Sequence, residues 1–275
     1  MVLFPNCKIN LGLNIVNKRN DGYHEIETVF YPVELKDAVE AVLCIDTELN
    51  TDIVFNSTGL EISGAESNNL CVKAYRLLKN DYPSMSPIFM HLHKVIPMGA
   101  GLGGGSADGA CMLQLLNSLF DLNLSNLTLN KYALQLGSDC PFFLLNKPCF
   151  ATGRGEHLQE INLNLSDYTI FLVYPDIHIS TALAFSKIKP CAPKRSIQEI
   201  IQEPVTLWKG ELWNDFEYGV LQTYPELALL KEQLYAQGAV YASMTGSGST
   251  FYGLFKKETD TRLTFPAGIS VHQTS

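Results

Sequence analysis

A glycine-rich stretch between two apolar segments constrains the fold of this chain more than any other feature. Residues 97–108 read Pro-Met-Gly-Ala-Gly-Leu-Gly-Gly-Gly-Ser-Ala-Asp, with five glycines in seven residues. The apolar run 88–96 and the helix-periodic run 110–120 flank it and predict a strand, a loop and a helix. A loop that opens a helix directs backbone N–H groups and the positive end of the helix dipole at one point. This favours phosphate binding over a flexible linker.

The composition excludes several classes of protein. A chain of 275 residues, 46% hydrophobic and 17% charged, is typical of a globular protein with one large or two modest domains. A net charge of −8 without a run of Lys or Arg argues against nucleic-acid binding. No apolar stretch approaches the roughly 20 residues of a membrane span, and the N-terminus lacks a signal-peptide pattern. Seven scattered cysteines without a C-x-x-C pair fit a reducing cytoplasm, so we expect a cytoplasmic protein without a membrane or nucleic-acid partner.

An alternating segment near the N-terminus presents two polar side chains on one face of a predicted half-buried strand. Apolar residues occupy every second position from Cys7 to Ile15, and Lys8 and Asn10 share the opposite face. Alternate residues of a strand lie about 7 Å apart, so the two side chains are neighbours. A lysine on such a face is usually only solvated, although a lysine near a carboxylate can hold it ionised.

An aspartate at a predicted helix start is the candidate for acid–base chemistry. In the segment 136–141, Leu-Gly-Ser-Asp-Cys-Pro, Asp139 fits the N-cap position with Pro141 in the first turn. Most aspartates at this position cap a helix. The same carboxylate, fixed at a rigid terminus in an apolar segment, is also suited to accept a proton from a hydroxyl group.

A turn near the N-terminus carries an aromatic ring and an imidazole. The segment 19–24, Arg-Asn-Asp-Gly-Tyr-His, predicts a turn that joins the alternating strand to a second extended run in a hairpin. Tyr23 and His24 can stack on and hydrogen-bond a planar base, or they are surface residues of the hairpin. His91 and His93 share one strand face without a third ligand at a recognisable spacing, so we expect them to be surface residues.

Other glycine-loop chemistries fit the sequence less well. The loop matches G-x-G-x-x-G, but the acidic residue of a dinucleotide fold should end a strand, and Asp121 follows a helical pattern. A Walker loop ends in Gly-Lys-Ser/Thr, whereas no lysine stands beside Ser106, and there is no G-x-S-x-G elbow. A phosphate loop remains whose lysine and acid come from elsewhere, and Lys8 and Asp139 are the candidates.

Three segments together resemble the motifs of the GHMP kinases, which include galactokinase and homoserine, mevalonate and phosphomevalonate kinases. They are residues 5–11 (Pro-Asn-Cys-Lys-Ile-Asn-Leu), 97–106 and 245–250 (Thr-Gly-Ser-Gly-Ser-Thr). The resemblance implies an α+β, two-domain GHMP kinase fold. Its ribosomal-S5-domain-2-like N-terminal domain would span residues 1–160, and its ferredoxin-like C-terminal domain would span residues 161–275.

Residues 19–24, 136–141 and 193–197 are similar to one branch of these kinases. That branch phosphorylates the 2-hydroxyl of a cytidine-diphosphate-linked methylerythritol in the non-mevalonate route to isoprenoid precursors. The resemblance therefore implies a small-molecule substrate, ATP and Mg²⁺, in a protein that is a monomer or a homodimer.

The resemblance also assigns residues to the phosphate donor. ATP phosphates would lie on the loop, with the adenine near Asn69 and the hydroxyl of Ser106 near Mg²⁺. The loop residues are Pro97, Met98, Gly99, Ala100, Gly101, Leu102, Gly103, Gly104, Gly105 and Ser106.

On the acceptor side, the resemblance implies that Asp139 deprotonates the 2-hydroxyl, while Lys8 orients this carboxylate and stabilises charge. Tyr23 and Phe185 would sandwich the cytosine, and His24 would bond its edge. Two further residues would hold the substrate, Asn10 and Thr181.

Three positions depart from the family pattern. Ala100 stands where glycine is common, Ser138 where alanine is common, and Asp108 where asparagine or a small residue is common. None of them removes a chemical role. The carboxylate of Asp108 should point away from a phosphate loop, because the two negative charges repel.

Two alternatives stay open. Another GHMP kinase would act on a small alcohol, which does not need the aromatic residues Tyr23, His24 and Phe185. A nucleotide-binding protein without catalysis would not need Lys8 and Asp139 together.

Overall fold

The computed structural model describes residues 1–44, 51–258 and 262–274. Within these ranges the chain forms twelve strands and eight helices. The strands are β1 (Val2–Leu3), β2 (Asn6–Lys18), β3 (His24–Lys36), β4 (Ala38–Leu43), β5 (Ile53–Gly59), β6 (Ile88–Lys94), β7 (Cys149–Thr152), β8 (His157–Glu160), β9 (Tyr168–Tyr174), β10 (Tyr241–Met244), β11 (Phe251–Lys256) and β12 (Ser270–Thr274). The helices are α1 (Leu70–Asp81), α2 (Gly104–Leu119), α3 (Asn126–Leu136), α4 (Cys140–Leu145), α5 (Thr181–Ser186), α6 (Ile197–Ile200), α7 (Asp215–Thr223) and α8 (Glu226–Ala236).

Two compact units alternate along the sequence. The first unit comprises Met1–Cys7, Leu35–Met98 and Gly103–Asn146, and the second comprises Lys8–Glu34, Gly99–Leu102 and Lys147–Ser275. The glycine loop therefore contributes residues to both units. The expected division into domains 1–160 and 161–275 stays a prediction.

The first unit is a four-stranded sheet covered by helices. Its strand order is β1-β4-β6-β5, with β5 parallel to β6 and the other pairs antiparallel. Strand β6 alternates, with Ile88, Met90 and Leu92 buried and the residues between them more exposed, so the sheet buries one face. Helix α2 packs against α1, α3, α4 and β4. Its position fixes the point at which the glycine loop ends.

The second unit contains two sheets and its own hydrophobic core. The strand orders are β2-β3-β7-β8 and β10-β11-β9-β12. Apolar side chains of β2, β9, β11, α7 and α8 meet in the core, among them Ile15, Val173, Phe216, Leu234 and Phe251. Burial of such a side chain contributes about 1.5–3 kcal/mol each, which makes this core the main source of the unit's stability.

Most predicted elements are confirmed, and the misses share a cause. Helices α7 and α8 are separated at Tyr224 and Pro225. The short hairpin β7–β8 and the terminal strand β12 were not predicted, because short strands are defined by distant partners and not by a local pattern. Among the described residues, no helix combines the length and the apolar character that crossing a bilayer requires.

Candidate active site

The glycine loop has the predicted order of strand, loop and helix. It follows β6, and α2 begins inside the glycine run at Gly104, earlier than the apolar pattern indicates. Gly99, Gly101 and Gly103 have φ values of 64°, 79° and 71°, in the left-handed region that favours glycine. A Cβ on Gly101 would lie 2.0 Å from the carbonyl oxygen of Thr245, so no other residue fits there.

Residues 99–102 of the loop are held within the second unit by backbone hydrogen bonds. The N–H of Lys8 donates to the carbonyl of Leu102 at 3.0 Å, and the N–H of Thr250 donates to that of Ala100 at 3.2 Å. The segment 5–11 and the second glycine segment 245–250 therefore each bind the loop that they accompany in the sequence motif. Ala100, which departs from the family pattern, is 1% exposed.

Lys8 and Asn10 are buried, which corrects the expectation of a half-buried strand with a polar face. Lys8 is 3% and Asn10 1% exposed, because β2 packs on both faces. Lys8 Nζ donates to Asn10 Oδ1 at 2.5 Å and lies 4.9 Å from the ring centroid of Phe30. Asn10 Nδ2 donates to Thr28 Oγ1 at 2.9 Å. Since lysine is rarely buried without partners, a merely solvated lysine is excluded.

Thr245 joins the three motif segments within the second unit. Its Oγ1 accepts from the N–H of Asn10 at 3.0 Å and donates to the carbonyl of Gly101 at 3.1 Å. The sequence showed the segment 245–250 but did not single out this threonine as a site residue. The available signal was a hydroxyl within a glycine segment; its burial, which makes partners necessary, is seen only in the structure.

Asp139 occupies the predicted N-cap position of α4 but does not act as a cap. Its backbone is helical, with φ −83° and ψ −17°, and its side chain makes no capping hydrogen bond. Pro141 stands in the first turn as expected. Asp139 therefore occupies the cap position, but its side chain does not cap the helix.

Inside the first unit, the Cys140 thiol at the start of α4 contacts Ser106 near the start of α2. Ser106 hydrogen-bonds to Cys140, while burial, the larger influence, raises the pKa of Cys140 to about 12. The nearby Asp139 carboxylate raises this pKa further. The thiol is therefore uncharged near neutral pH, and Ser106 and Asp139 both lie beside it.

Asn69 is the N-cap of α1. Its Oδ1 accepts from the N–H of Cys71 at 2.8 Å. The role of Asn69 near an adenine stays a prediction, for which its Nδ2 would be the donor.

Three of the side chains predicted to hold a base contact another aromatic or cationic side chain. His24 stacks on Phe185 with ring centroids 4.5 Å apart, and Phe185 also meets Phe216 edge-on at 4.8 Å. The guanidinium of Arg154 lies 4.6 Å from the ring centroid of Tyr23, which is 54% exposed. Burial lowers the pKa of His24, so its imidazole is neutral near pH 7 and offers one donor and one acceptor. The sequence did not indicate Arg154.

Thr181 begins α5 and lies beside the second glycine segment. Its Oγ1 is 3.4 Å from Ser247 Oγ.

His91 and His93 lie on β6 with Thr58 Oγ1 between them, 3.0 Å from His91 Nε2 and 2.9 Å from His93 Nδ1. In the part of the chain that the structure describes, no three His, Cys, Asp or Glu side chains form a group that could hold a metal ion.

Comparison with protein families places two domain models on the chain. The model for the GHMP kinases N terminal domain matches residues 69–147, and that for the GHMP kinases C terminal domain matches residues 207–263. A solved homoserine kinase from Cytophaga hutchinsonii superposes with a TM-score of 0.72 over 100% of this chain and 93% of that chain, at 13% identity. At that identity the match shows the fold alone, and it confirms the predicted GHMP kinase fold.

Relatives of higher sequence identity show to which family within the GHMP kinases the chain belongs. The chain is 51% identical over 258 residues to the 4-diphosphocytidyl-2-C-methyl-D-erythritol kinase of Bacteroides fragilis, which covers 94% of this chain and 93% of that protein. The same enzyme of Bacteroides thetaiotaomicron is 52% identical with the same coverage. A crystal structure of 4-(cytidine 5'-diphospho)-2C-methyl-D-erythritol kinase matches with a TM-score of 0.77 and 30% identity over 92% of this chain and 90% of that chain. Half of the residues are thus shared along nearly the full length of these relatives, and the chain belongs to the 4-diphosphocytidyl-2-C-methyl-D-erythritol kinase family of the GHMP kinases.

Proposed function

We propose that this protein transfers the γ-phosphoryl group of ATP to the 2-hydroxyl of 4-diphosphocytidyl-2-C-methyl-D-erythritol, in the non-mevalonate route to isoprenoid precursors. The observation that carries the proposal is the buried Lys8, whose N–H holds the glycine loop at Leu102 while its ammonium bonds to Asn10. Phosphoryl transfer depends on fixed positions and charge neutralisation more than on covalent chemistry. A lysine anchored to the phosphate loop supplies both.

The glycine loop binds the donor. Three left-handed glycines and the N-terminus of α2 direct backbone N–H groups at the phosphates. Asn69, at the start of α1, lies near the adenine. Ser106 would hold Mg²⁺ through its hydroxyl together with phosphate oxygens, an all-oxygen donor set that suits this ion, which supplies charge neutralisation.

Asp139 is the general base. Its carboxylate takes the proton of the 2-hydroxyl as the bond from that oxygen to the γ-phosphorus forms and the bond to the β–γ bridging oxygen breaks, which releases ADP. Lys8 stabilises the charge that develops on the transferred group.

The cytidine part of the substrate is recognised by Tyr23, His24 and Phe185. A neutral imidazole matches the donor and acceptor on the edge of cytosine, and the aromatic rings supply stacking surface. Thr181 contributes a hydroxyl to the substrate. Asn10 already bonds to Lys8 and Thr28, so it acts on the substrate mainly by positioning the lysine.

The decisive experiment measures ADP release with ATP and the cytidylated substrate, beside homoserine, mevalonate and galactose as small-alcohol acceptors. We expect ADP release with the cytidylated substrate alone. Release with a small alcohol instead would favour the other GHMP kinase. ATP binding without ADP release for any acceptor would favour the non-catalytic nucleotide-binding protein.

A further inference from the structure

An imidazole that the sequence did not indicate lies against the first glycine of the glycine loop, within the second unit. A Cβ on Gly99 would be 2.4 Å from His178 Nδ1 and 2.5 Å from His178 Cε1. The ring edge that carries these two atoms therefore touches the backbone of Gly99. His178 follows β9, precedes α5 and is exposed. The left-handed φ of Gly99, 64°, and the imidazole beside it both favour glycine at this position of the loop.

The residues on both sides of His178 are fixed on the second glycine segment. Ser249 Oγ donates to the carbonyl of Ile177. Ile179 is 2% exposed, and a Cβ on Gly248 would lie 3.2 Å from its Cδ1, so this side chain packs on the glycine. Because both neighbours of His178 are held, the imidazole is supported in its place beside the loop, as a ligand-binding side chain needs to be.

The ring of His178 is available to a ligand. No hydrogen bond joins it to another residue in the part of the chain that the structure describes. Its Nδ1 edge lies against Gly99, which leaves Nε2, on the far side of Cε1, as the nitrogen open to a bound molecule. A ring nitrogen that carries a proton is a hydrogen-bond donor, and phosphate oxygens are strong acceptors. The imidazole therefore offers one donor next to the backbone of the loop.

The glycine loop itself supplies no basic side chain to a phosphate. Residues 97–106 contain no Lys, Arg or His, in contrast to a Walker loop, whose lysine reaches the phosphates. Its own donors are backbone N–H groups and the hydroxyl of Ser106. Further side-chain donors must therefore come from other segments, and His178 is in direct contact with the loop.

We propose that His178 is a further ATP-binding residue, whose Nε2–H donates a hydrogen bond to a phosphate oxygen of the nucleotide on the glycine loop. This role depends on the proposed function, because ATP is taken as the ligand of the loop. The hydrogen bond stabilises the bound nucleotide and restricts the position of its phosphates beside Gly99. A ring that only filled the space over Gly99 would need its volume but not its nitrogen atoms, so substitutions that separate volume from the N–H group distinguish the two roles.

The test is the dissociation constant of ATP, measured by calorimetry on the full chain without an acceptor. His178→Leu keeps most of the volume but removes both nitrogens, and we expect its Kd to exceed the wild-type value about tenfold, because a hydrogen bond to a charged group is lost. His178→Gln places an amide N–H near the position of Nε2 and should stay within about twofold of the wild type. His178→Asn reaches only the position of Nδ1 and should be as weak as His178→Leu. A wild-type Kd for His178→Leu, or equal values for His178→Gln and His178→Asn, would overturn the proposal.

Adenosine separates a phosphate contact from a general loss of fit. It has no phosphate, so its Kd, measured by ligand-observed NMR, should be the same for the wild type and His178→Leu. An equal loss of affinity for adenosine and ATP would overturn the phosphate contact. Since His178 is exposed, its variants should fold, which circular dichroism checks. If His178→Leu does not fold, the comparison of His178→Gln with His178→Asn still decides whether the N–H group at Nε2 is needed.

The matched control is His157→Leu, also in the second unit. His157 of β8 is likewise exposed and lies against a glycine with a positive φ, since a Cβ on Gly153 would be 2.7 Å from His157 Cδ2. Gly153 is not part of the glycine loop, so His157→Leu should keep the wild-type Kd for ATP. A tenfold loss in this variant too would overturn the assignment of the effect to the loop. A wild-type protein that binds no ATP would instead contradict the proposed function.

Discussion

Lys8 and Asp139, the two side chains proposed to act on the transferred phosphoryl group, are held by their surroundings in different ways. Lys8 lies inside a long strand of the second unit, is almost fully buried and bonds to Asn10. Asp139 stands at the start of the six-residue helix α4 of the first unit, where its side chain does not serve as the cap. The lysine is thus part of the packing of its unit, whereas the carboxylate is not needed to begin its helix. Substitutions at the two positions should therefore separate chemistry from stability.

The largest effect is expected for Asp139→Asn. We expect kcat to fall at least ~100-fold while both KM values change by less than about threefold, because a general base acts in the transition state. Steady-state kinetics with both substrates measures this. The unfolding free energy should change by less than the ~1 kcal/mol that a lost cap costs.

Near-normal turnover of Asp139→Asn would reduce this residue to a structural one. A loss of stability as large as that of a removed cap, without a loss of kcat, would lead to the same conclusion. Ser125→Ala is the matched comparison, because Ser125 does cap its helix through the N–H of Thr128. That variant should lose stability and keep its kcat.

Lys8→Met should combine a smaller loss of kcat with a loss of stability. We expect kcat to fall about 50-fold, because one charge-stabilising donor is removed. The unfolding free energy should fall by about 1–3 kcal/mol, because Asn10 Oδ1 loses its strongest donor inside the protein. Kinetics together with thermal unfolding checks both numbers. An unchanged unfolding temperature would contradict the proposal that Lys8, unlike Asp139, contributes to the stability of the protein.

Thr245→Val should act on the loop more than on the chemistry. The variant keeps the shape of the side chain but removes the hydroxyl that joins Asn10 to Gly101. We expect the Kd for ATP to rise about fivefold and the unfolding free energy to fall by about 1–2 kcal/mol. Thr223→Val is the control, since its hydroxyl bonds to the carbonyl of Gly219 one turn earlier in α7. Equal ATP affinities of the two variants would argue against a role of Thr245 at the loop.

Local patterns predicted the elements around these sites well. Side chains of Asn69, Ser125 and Ser196 cap α1, α3 and α6, and such caps depend on a few consecutive residues. The glycine loop is confirmed for the same reason. Motif resemblance added the family, which no local pattern could supply.

Burial and long-range networks were beyond the reach of the sequence. The alternation of β2 predicted a solvated face for Lys8, but segments far along the chain cover that face, among them the loop with Thr245. A buried ion network is a second example, because Asp37 and Asp108 meet at Lys94 from 57 and 14 residues away with no pattern that links them. Such contacts arise from tertiary packing, which overrides local propensity.

The smallest effect is expected from the pH dependence of substrate binding at His24. Burial lowers the pKa of His24 below its ordinary value of 6.5, so the folded protein binds fewer protons there than the unfolded chain as the pH falls. The neutral imidazole should keep the KM for the cytidylated substrate constant from pH 8 to 6.5, with a rise of about threefold once the pH is low enough to protonate the ring and the ring acceptor is lost. His24→Gln, which keeps a donor and an acceptor but cannot titrate, should remove this rise. A rise that persists in His24→Gln would assign it to another group and would leave the stacked pair of His24 and Phe185 without a role in base recognition.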